Sequence, residues 1–284
     1  MTNGLILDTD IGYDPDDLFG LLLILNSPEV KLDLIITGDE VEGKRAKLLK
    51  KILNILNEDI EVVQGEDLGN KEFVIDEFIE NESYNISQDY LTSVKKVLEK
   101  YDKVIYINIQ GFSNLAKILD TIPESKEKLI IYQMGGAVDY IRRPNWTEHN
   151  VKIDINSAIK VLNSDIKLSL IMAQTTFNPI FKIDNNHEIF KLLESSTNEV
   201  HKILVKHCLN FNNKTTFWTH MHDPLAISVA LGKDFVSFYE SGIEIDVMGK
   251  MTKSNKKPKF KLSQVKSKDQ EFMNFLKERL FFKG

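Results

Sequence analysis

Five aspartates lie within ten residues near the start of the chain, in the stretch Asp8-Thr9-Asp10-Ile11-Gly12-Tyr13-Asp14-Pro15-Asp16-Asp17. An apolar run at residues 5–7 precedes this stretch, and a second at residues 18–25 follows it. These flanks predict that the aspartates join the carboxyl end of a buried strand to a helix, where open α/β sheets bind ligands. Ionised carboxylates this close repel one another unless a cation or hydrogen-bond donors offset the charge. A hard divalent cation held by oxygens, with Ca²⁺ the first choice, is the simplest interpretation.

Short runs rich in isoleucine and valine alternate with helical patterns along the chain. The predicted strands span residues 4–7, 32–36, 60–63, 103–109, 129–132 and 168–171. The predicted helices span residues 17–25, 44–56, 90–98, 114–119 and 157–162. Past residue 185 the pattern is mainly helical, and a late hairpin is predicted from residues 243–248 and 260–263, with a lysine-rich loop at 253–259. We therefore predict an α/β fold with a Rossmann-like core: a single domain over residues 1–284, with a mostly parallel central sheet flanked by helices.

Charge and composition restrict the classes of partner. The net charge is −6 and the pI is near 5.6, so we expect neither nucleic acid nor an anionic membrane as a partner. Cys208 is the only cysteine, which excludes an internal disulfide and suits a reducing compartment. The N-terminus has no basic region followed by a long apolar stretch, and no run approaches ~20 apolar residues. We therefore expect a cytoplasmic protein without a transmembrane helix.

Polar clusters follow several of the predicted strands. They are Thr37-Gly38-Asp39, Gly111-Phe112-Ser113-Asn114, Met134-Gly135-Gly136 and Gln174-Thr175-Thr176. Because the carboxyl ends of parallel strands meet at one edge of a sheet, we expect these clusters to face the same crevice as the aspartates. Two further segments are candidates to join them: Asn145-Trp146-Thr147-Glu148-His149-Asn150 and His220-Met221-His222-Asp223-Pro224.

The opening pattern D-x-D-x-G-x-D-x-D-D resembles the N-terminal signature of the nucleoside hydrolases of the inosine–uridine-preferring type. Four later blocks resemble motifs of the same family: Gly111-Phe112-Ser113-Asn114-Leu115-Ala116, Met134-Gly135-Gly136-Ala137, Glu148-His149-Asn150 followed by Asp154, and His222-Asp223-Pro224-Leu225-Ala226. One block alone is weak evidence. All five occur in the family's order and span most of the chain, so together they are specific.

The resemblance implies a role for each matched position. The family's Ca²⁺ ligands fall on Asp10, Asp17, Asp223 and the backbone carbonyl of Ser113. Its ribose-binding residues fall on Asp16, Glu148 and Asn150, with Asp39 near them. Asp10 is also the implied general base that deprotonates a water, and His222 the implied acid that protonates the departing base. The implied activity is Ca²⁺-dependent hydrolysis of the N-glycosidic bond of a ribonucleoside, ordinary or modified as in queuosine, in nucleoside salvage by a homodimer or homotetramer.

The chain also departs from the family pattern. Asp39 stands where the family often has asparagine. Residues 66–71 lack the usual Pro-Leu and His-Gly, and the loop at 139–145 lacks G-N-x-T and carries Arg142-Arg143. Both segments are expected to face the nucleobase, so the identity of the base is not predicted. Three aromatic residues, Trp146, Phe217 and Trp218, are expected in the core. Five histidines are expected to be structural: His149, His187, His201, His207 and His220.

Two other functions fit parts of the sequence. Asp8-Thr9-Asp10 after a strand resembles the nucleophile motif of haloacid dehalogenase-type phosphatases. That class needs a later acidic pair, whereas Asp16-Asp17 follows at once, and Mg²⁺-dependent release of phosphate would identify it. A non-catalytic nucleoside- or ribose-binding protein on the same scaffold is the third hypothesis, and binding without turnover would identify it.

Overall fold

The computed structural model describes residues 3–255 and 260–281. These residues form a mixed central sheet flanked by helices. Its nine strands have the order β3-β2-β1-β4-β5-β6-β9-β7-β8. The strands are β1 Gly4–Thr9, β2 Leu34–Thr37, β3 Glu61–Gln64, β4 Val104–Asn108, β5 Leu129–Met134, β6 Leu168–Ile171, β7 Val236–Ile245, β8 Met251–Ser254 and β9 Phe260–Ser267. The helices are α1 Asp16–Leu25, α2 Lys44–Leu56, α3 Tyr90–Lys100, α4 Ser113–Thr121, α5 Ser125–Lys128, α6 His149–Lys152, α7 Ile155–Asn163, α8 Ala173–Thr176, α9 Glu188–Glu194, α10 Glu199–Thr215, α11 His222–Ala230 and α12 Asp269–Leu280. Short 3-10 helices lie at Asp76–Phe78 and Pro179–Phe181.

The parallel part of the sheet confirms the predicted architecture. Strand β1 lies between β2 and β4, and every neighbouring pair from β3 to β9 in the sheet order is parallel. In the registers of β1 with its neighbours, Thr9 is opposite Thr37 and Asp8 is opposite Asn108. The segments that follow β1, β2 and β4 therefore leave the sheet at one edge, as the polar clusters after these strands predicted.

The end of the chain forms an antiparallel extension with bounds that differ from the predicted hairpin. Strand β7 pairs antiparallel with β9 and with β8. It ends at Ile245 because a tight turn follows, in which the N–H of Gly249 donates to the carbonyl of Asp246 at 2.9 Å and Gly249 has a φ of 77°. Residues 256–259 of the predicted lysine-rich loop lie outside the described residues.

Two apolar layers cover the two faces of the sheet. Leu5 and Leu7 of β1 point into a cluster with helices α1, α2 and α9–α12, whereas Ile6 points into a cluster with α3, α4 and α7. This alternation is what a strand buried on both faces requires. Helices α1 and α11 pack against each other on the first face, which brings together residues about 200 positions apart in sequence. Among the described residues no helix is long and apolar enough to cross a membrane.

Candidate active site

A cavity of about 470 Å³ opens at the carboxyl edge of the parallel strands. Seven of the nine residues singled out from the sequence line it: Asp10, Asp16, Asp17, Glu148, Asn150, His222 and Asp223. The other two, Asp39 and Ser113, do not line it. The Ser113 hydroxyl donates to the carboxylate of Asp154 at 2.8 Å, at the start of α4, whereas the predicted metal ligand is its backbone carbonyl. The acidic stretch and the two later segments converge on one cavity, but of the four polar clusters that follow the predicted strands only Met134 lines it.

Three carboxylates meet at one end of this cavity. Asp16 and Asp17 occupy the first turn of α1, where the helix dipole favours negative charge, and Asp223 occupies the first turn of α11. One oxygen from each lies within 4.8 Å of the others, and each residue is 4% exposed. Asp10 lies in the same cavity but outside this group. The geometry therefore groups Asp16, which the sequence assigned to the sugar, with two of the predicted metal ligands.

Local hydrogen bonds fix the acidic group in place. The Thr9 hydroxyl donates to Asp17, and the backbone N–H of Asp223 donates to Asp16 at 3.3 Å. Burial raises the pKa values of Asp16, Asp17 and Asp223 well above their usual range, and repulsion between neighbouring carboxylates raises them further. Such a group is favourable only with protons or a cation bound.

Arg45 provides a fixed positive charge behind the acidic turn. It is 1% exposed, and its guanidinium donates to the backbone carbonyls of Asp10, Ile11 (2.9 Å) and Glu72 (3.3 Å). Its charge opposes the rise that burial causes in the pKa of Asp10. Five guanidinium donors in a rigid fork suit this task, which an ammonium group could not perform.

Asp39 is the partner of Arg45 and does not face the cavity. It is 1% exposed, one carboxylate oxygen lies 3.8 Å from the Arg45 guanidinium, and the same oxygen accepts from the side-chain amide of Asn70. The expectation that Asp39 lies with the ribose-binding residues finds no support in this geometry. The extra carboxylate relative to asparagine is instead matched by the buried arginine.

Glu148 and Asn150 are held by backbone groups at the cavity wall. Glu148 caps α6 and accepts from the N–H groups of Gly136 (2.8 Å), Asn150 (3.1 Å) and Val151 (3.2 Å). The Asn150 amide nitrogen donates to the carbonyl of Met134 at 3.1 Å, which leaves its carbonyl oxygen for a ligand. A Cβ at Gly135, which has a φ of 137°, would lie 3.2 Å from the Glu148 carboxylate. The Met-Gly-Gly turn thus makes room for both side chains.

His222 lies at the same wall, between polar and aromatic neighbours. Its Nδ1 is 2.7 Å from the Thr176 hydroxyl, and its ring is 4.7 Å from Phe177 and stacked 5.6 Å from His220. Burial, assisted by electrostatic repulsion from His220 and Arg142, lowers the pKa of His222 to about 3. The neutral ring carries one N–H, and because the Thr176 hydroxyl also donates to the Ala173 carbonyl at 3.4 Å, its contact with Nδ1 fits either tautomer of the ring.

A second group of cavity-lining residues, called the cationic end below, is aromatic and positively charged. Arg142 and Arg143 line the cavity together with six aromatic residues: Tyr13, Trp146, Phe177, Phe211, Phe217 and Trp218. The guanidinium carbon of Arg142 lies 4.0 Å from the centre of the Phe177 ring. Trp146, Phe217 and Trp218 were expected in the core. All three line the cavity and Phe217 is 66% exposed, whereas Trp218 also packs against the core.

Other sequence expectations need correction or addition. Residues 66–71 do not line the cavity, so that segment does not face a bound base; Asn70 supports Asp39 instead. Asp14, Phe177 and His220 line the cavity without an assigned role. Asp14 could have been found as the one aspartate of the acidic stretch, apart from Asp8, left without a function. His220 could have been found from its spacing of two residues from His222.

The phosphatase hypothesis does not fit the position of Asp8. Asp8 is fully buried, accepts from Asn114 at 2.8 Å and from the Tyr106 hydroxyl, and does not line the cavity. Burial raises the pKa of Asp8 to about 7. A carboxylate enclosed by protein donors cannot reach a phosphoryl group.

Comparison with solved structures identifies the fold. The fold is similar to the purine-preferring ribonucleoside hydrolase from Gardnerella vaginalis, with a TM-score of 0.79, 22% identity and 98% of each chain covered. It is also similar to an inosine–guanosine nucleoside hydrolase (TM-score 0.81, 16% identity, 100% of each chain). The inosine-uridine preferring enzyme from Bacillus anthracis gives a TM-score of 0.78 at 15% identity, over 98% of this chain and 99% of that one.

Sequence comparison is more specific than fold similarity here. No curated protein matches the chain. The family model "Inosine-uridine preferring nucleoside hydrolase" matches residues 5–277, which include all five sequence blocks of the cavity. The chain therefore belongs to the inosine-uridine preferring nucleoside hydrolase family.

Proposed function

We propose that this nucleoside hydrolase cleaves the N-glycosidic bond of a ribonucleoside with a bound Ca²⁺ ion. The observation that carries the proposal is the convergence of Asp16, Asp17 and Asp223 within 4.8 Å at one end of a cavity of about 470 Å³. A cavity of that size suits a molecule of nucleoside dimensions. The names of the related enzymes support a ribonucleoside and differ in the base, so the base stays open.

The donor set fits a hard divalent cation. Carboxylate oxygens are the preferred ligands of Ca²⁺, and burial has already raised the pKa values of these carboxyl groups, so a cation replaces protons there. We propose Asp10, Asp17, Asp223 and the Ser113 carbonyl as ligands, with Asp16 adjacent. When bound, the ion supplies Lewis acidity that makes a water more acidic and holds sugar hydroxyl oxygens.

The protein's own residues then have separate tasks. Asp10 accepts the proton of the attacking water, a contribution of typically ~10²–10⁴-fold. Asp16, Glu148 and Asn150 accept hydrogen bonds from the ribose hydroxyls and orient the sugar. Negative charge around the sugar favours the oxocarbenium-like transition state of glycosyl transfer. His222, at the wall that also carries Glu148 and Asn150, is the residue that gives the departing base its proton.

The proposed function is tested with a panel of ribonucleosides, common and modified, assayed for free ribose. Metal-free protein should be inactive, Ca²⁺ should restore activity, and the restored protein should contain one Ca²⁺ per chain. Activity that survives complete metal removal would contradict the metal assignment. Ribose release from none of the panel, together with tight nucleoside binding, would favour a non-catalytic binding protein.

The sugar contacts give a second, independent test. A site built to bond a hydroxyl rejects the analogue that lacks it by ~10⁴–10⁵-fold in strong cases. We expect kcat/KM for a 2′-deoxyribonucleoside to fall toward that range relative to the matching ribonucleoside. Comparable kcat/KM values for the two substrates would contradict the proposal that Asp16, Glu148 and Asn150 bind the ribose hydroxyls.

The proposal includes a place in cytoplasmic nucleoside salvage as a homodimer or homotetramer. A single buried cysteine, Cys208, supports a reducing compartment such as the cytoplasm. Light scattering of the purified protein measures the assembly directly, and a monomer would contradict it.

A further inference from the structure

Arg142 and Arg143 differ from the other arginines of the chain. The protein has four arginines among 36 basic residues, so lysine supplies most of its positive charge. Arg45 and Arg279 are paired with carboxylates. Across residues 3–255 and 260–281, neither Arg142 nor Arg143 forms an ion pair, and both line the cavity. Half of the arginines therefore lie side by side in sequence, without an ion pair, in the lining of the cavity that also contains the aspartates.

The position of Arg142 is fixed by an aromatic platform. Its guanidinium carbon lies 4.0 Å from the Phe177 ring centre, and the Phe177 ring lies 4.7 Å from the His222 ring. A guanidinium stacked on a ring keeps its N–H groups free along the edge, where they bond two oxygens of a carboxylate or phosphate side by side. The N–H groups of Arg142 are thus separated by only the Phe177 ring from His222, the residue proposed to protonate the leaving base.

We propose that Arg142 and Arg143 form an anion subsite, and that the preferred substrate is a ribonucleoside carrying a negatively charged group away from the scissile bond. The inference rests on the proposed function. A substrate with a neutral base would leave Arg142 and Arg143 without a partner. An anionic group on the substrate would pair with both arginines, while the sugar and the metal pair with the aspartates. Two positions on a ribonucleoside lie outside the part held by the acidic end: the leaving ring, as a carboxylate, and the 5′ carbon, as a phosphate.

Matched substrate pairs test the proposal and separate the two positions. 5-Carboxyuridine and 5-carbamoyluridine differ by a carboxylate in place of a neutral amide on the leaving ring; inosine 5′-monophosphate and inosine differ by a phosphate on the sugar. For one pair we expect kcat/KM to favour the anionic member by about 10- to 100-fold, the range of a charge-assisted hydrogen bond. The preference should shrink as salt is added, because both arginines are exposed to solvent.

Three variants complete the test. Arg142→Gln and Arg143→Gln should each reduce the preference for the anionic member. Arg143→Gln should leave kcat/KM of the neutral member within about 3-fold, whereas Arg142→Gln is judged by the ratio of the two members alone, because Arg142 stacks on the ring that contacts His222. Lys191→Gln, an exposed residue of α9 outside the cavity lining, changes the net charge equally and should leave the preference intact. Binding of ribose 5-phosphate against ribose, and of 5-carboxyuracil against 5-carbamoyluracil, gives a readout that needs no turnover.

The outcomes distinguish this inference from the proposed function. A neutral member preferred in both pairs, or a preference for the anionic member that survives both arginine substitutions, overturns the anion subsite while hydrolysis stands. Release of neither ribose nor ribose 5-phosphate from any of the four substrates, and of no ribose from the wider panel, overturns the proposed function itself. Equal binding of the charged and neutral fragments would also count against the subsite.

Discussion

The two ends of the cavity are built in different ways. The acidic end rests on the ends of buried strands and on the first turns of α1 and α11, and a buried arginine braces it from behind. The cationic end rests on the loop before α6, where Arg142 and Arg143 are exposed and one aromatic ring holds a guanidinium. The reaction shared by a family of enzymes needs the first kind of construction, because metal and sugar demand fixed distances. Selection among bases can be made by a loop, which changes without disturbing the sheet.

Removal of a carboxylate from the acidic end should have the largest effect. Asp223→Ala leaves Asp16 and Asp17 without the ligand from α11, so the bound metal and the activity should both be lost. We expect kcat/KM to fall by more than about 10³-fold, because a bound metal lowers the activation barrier by several kcal/mol. Metal content by mass spectrometry and ribose release measure the two losses. Asp102→Ala, an exposed aspartate remote from the cavity, should change neither.

The effect of removing the His222 imidazole should depend on the leaving group of the substrate. His222→Ala should lose ~10²–10⁴-fold on a ribonucleoside, the general-acid range, and little on p-nitrophenyl riboside, whose leaving group departs as an anion. Thr176→Val removes the hydroxyl 2.7 Å from Nδ1 and should reproduce a smaller part of the same selectivity. Equal losses on both substrates would mean that His222 positions the sugar or the metal.

Disruption of the Arg45–Asp39 ion pair behind the acidic turn should lower stability and activity together. Arg45→Met leaves the buried Asp39 carboxylate without its cation, and loss of one partner of a buried pair costs about 3–5 kcal/mol of unfolding free energy. Asp39→Asn added to Arg45→Met removes the stranded charge and should recover part of the loss. Urea unfolding of the two single variants and the double variant measures the coupling. Additive losses would show that Arg45 acts only through the backbone carbonyls of the turn.

Lowering the pH should reduce the free energy of unfolding through His207, which is hydrogen-bonded to the acidic turn. Its Nε2 donates to the Tyr13 carbonyl at 3.1 Å, and burial lowers its pKa from 6.5 to about 3. Between those values the unfolded chain binds a proton that the folded protein does not, so the unfolding free energy falls as the pH falls from 6.5 toward 3. From pH 7 to pH 5 the wild type should lose about 2 kcal/mol more than His207→Gln. Parallel curves for the two proteins, measured with saturating metal, would exclude His207 as the cause.

The strands and the acidic end were predictable because their signals are local. A strand buried on both faces needs a continuous run of isoleucine, valine or leucine, and β6 was predicted with its observed bounds at residues 168–171. Carboxylates that converge on a cation repel each other in any other setting, so five aspartates in ten residues indicated a site. The segment His222-Asp223-Pro224 was located by resemblance, and the packing of α11 on α1 brings it to the aspartates.

The other parts of the site depend on side-chain directions that the sequence does not carry. Arg45 lies among several lysines in a helix whose pattern is typical of a solvated face, yet it is among the largest fully buried side chains. Phe217 belongs to a residue type that is usually buried, and it lines an open cavity instead. Asp39 could not be separated from the ribose-binding residues, since only the folded structure shows it turned toward Arg45.

The central position of β1 has a consequence for biosynthesis. The strand that carries the acidic turn leaves the ribosome well before its partner β4, which begins at Val104. At typical translation rates the wait is roughly 5–20 s, during which an apolar strand has an open edge. The last carboxylate, Asp223, is made later still, so a truncated chain would keep the aggregation risk of the exposed strand and lack the metal that could stabilise it. Nascent chains of this protein should therefore depend on chaperones most strongly before residue 108 emerges.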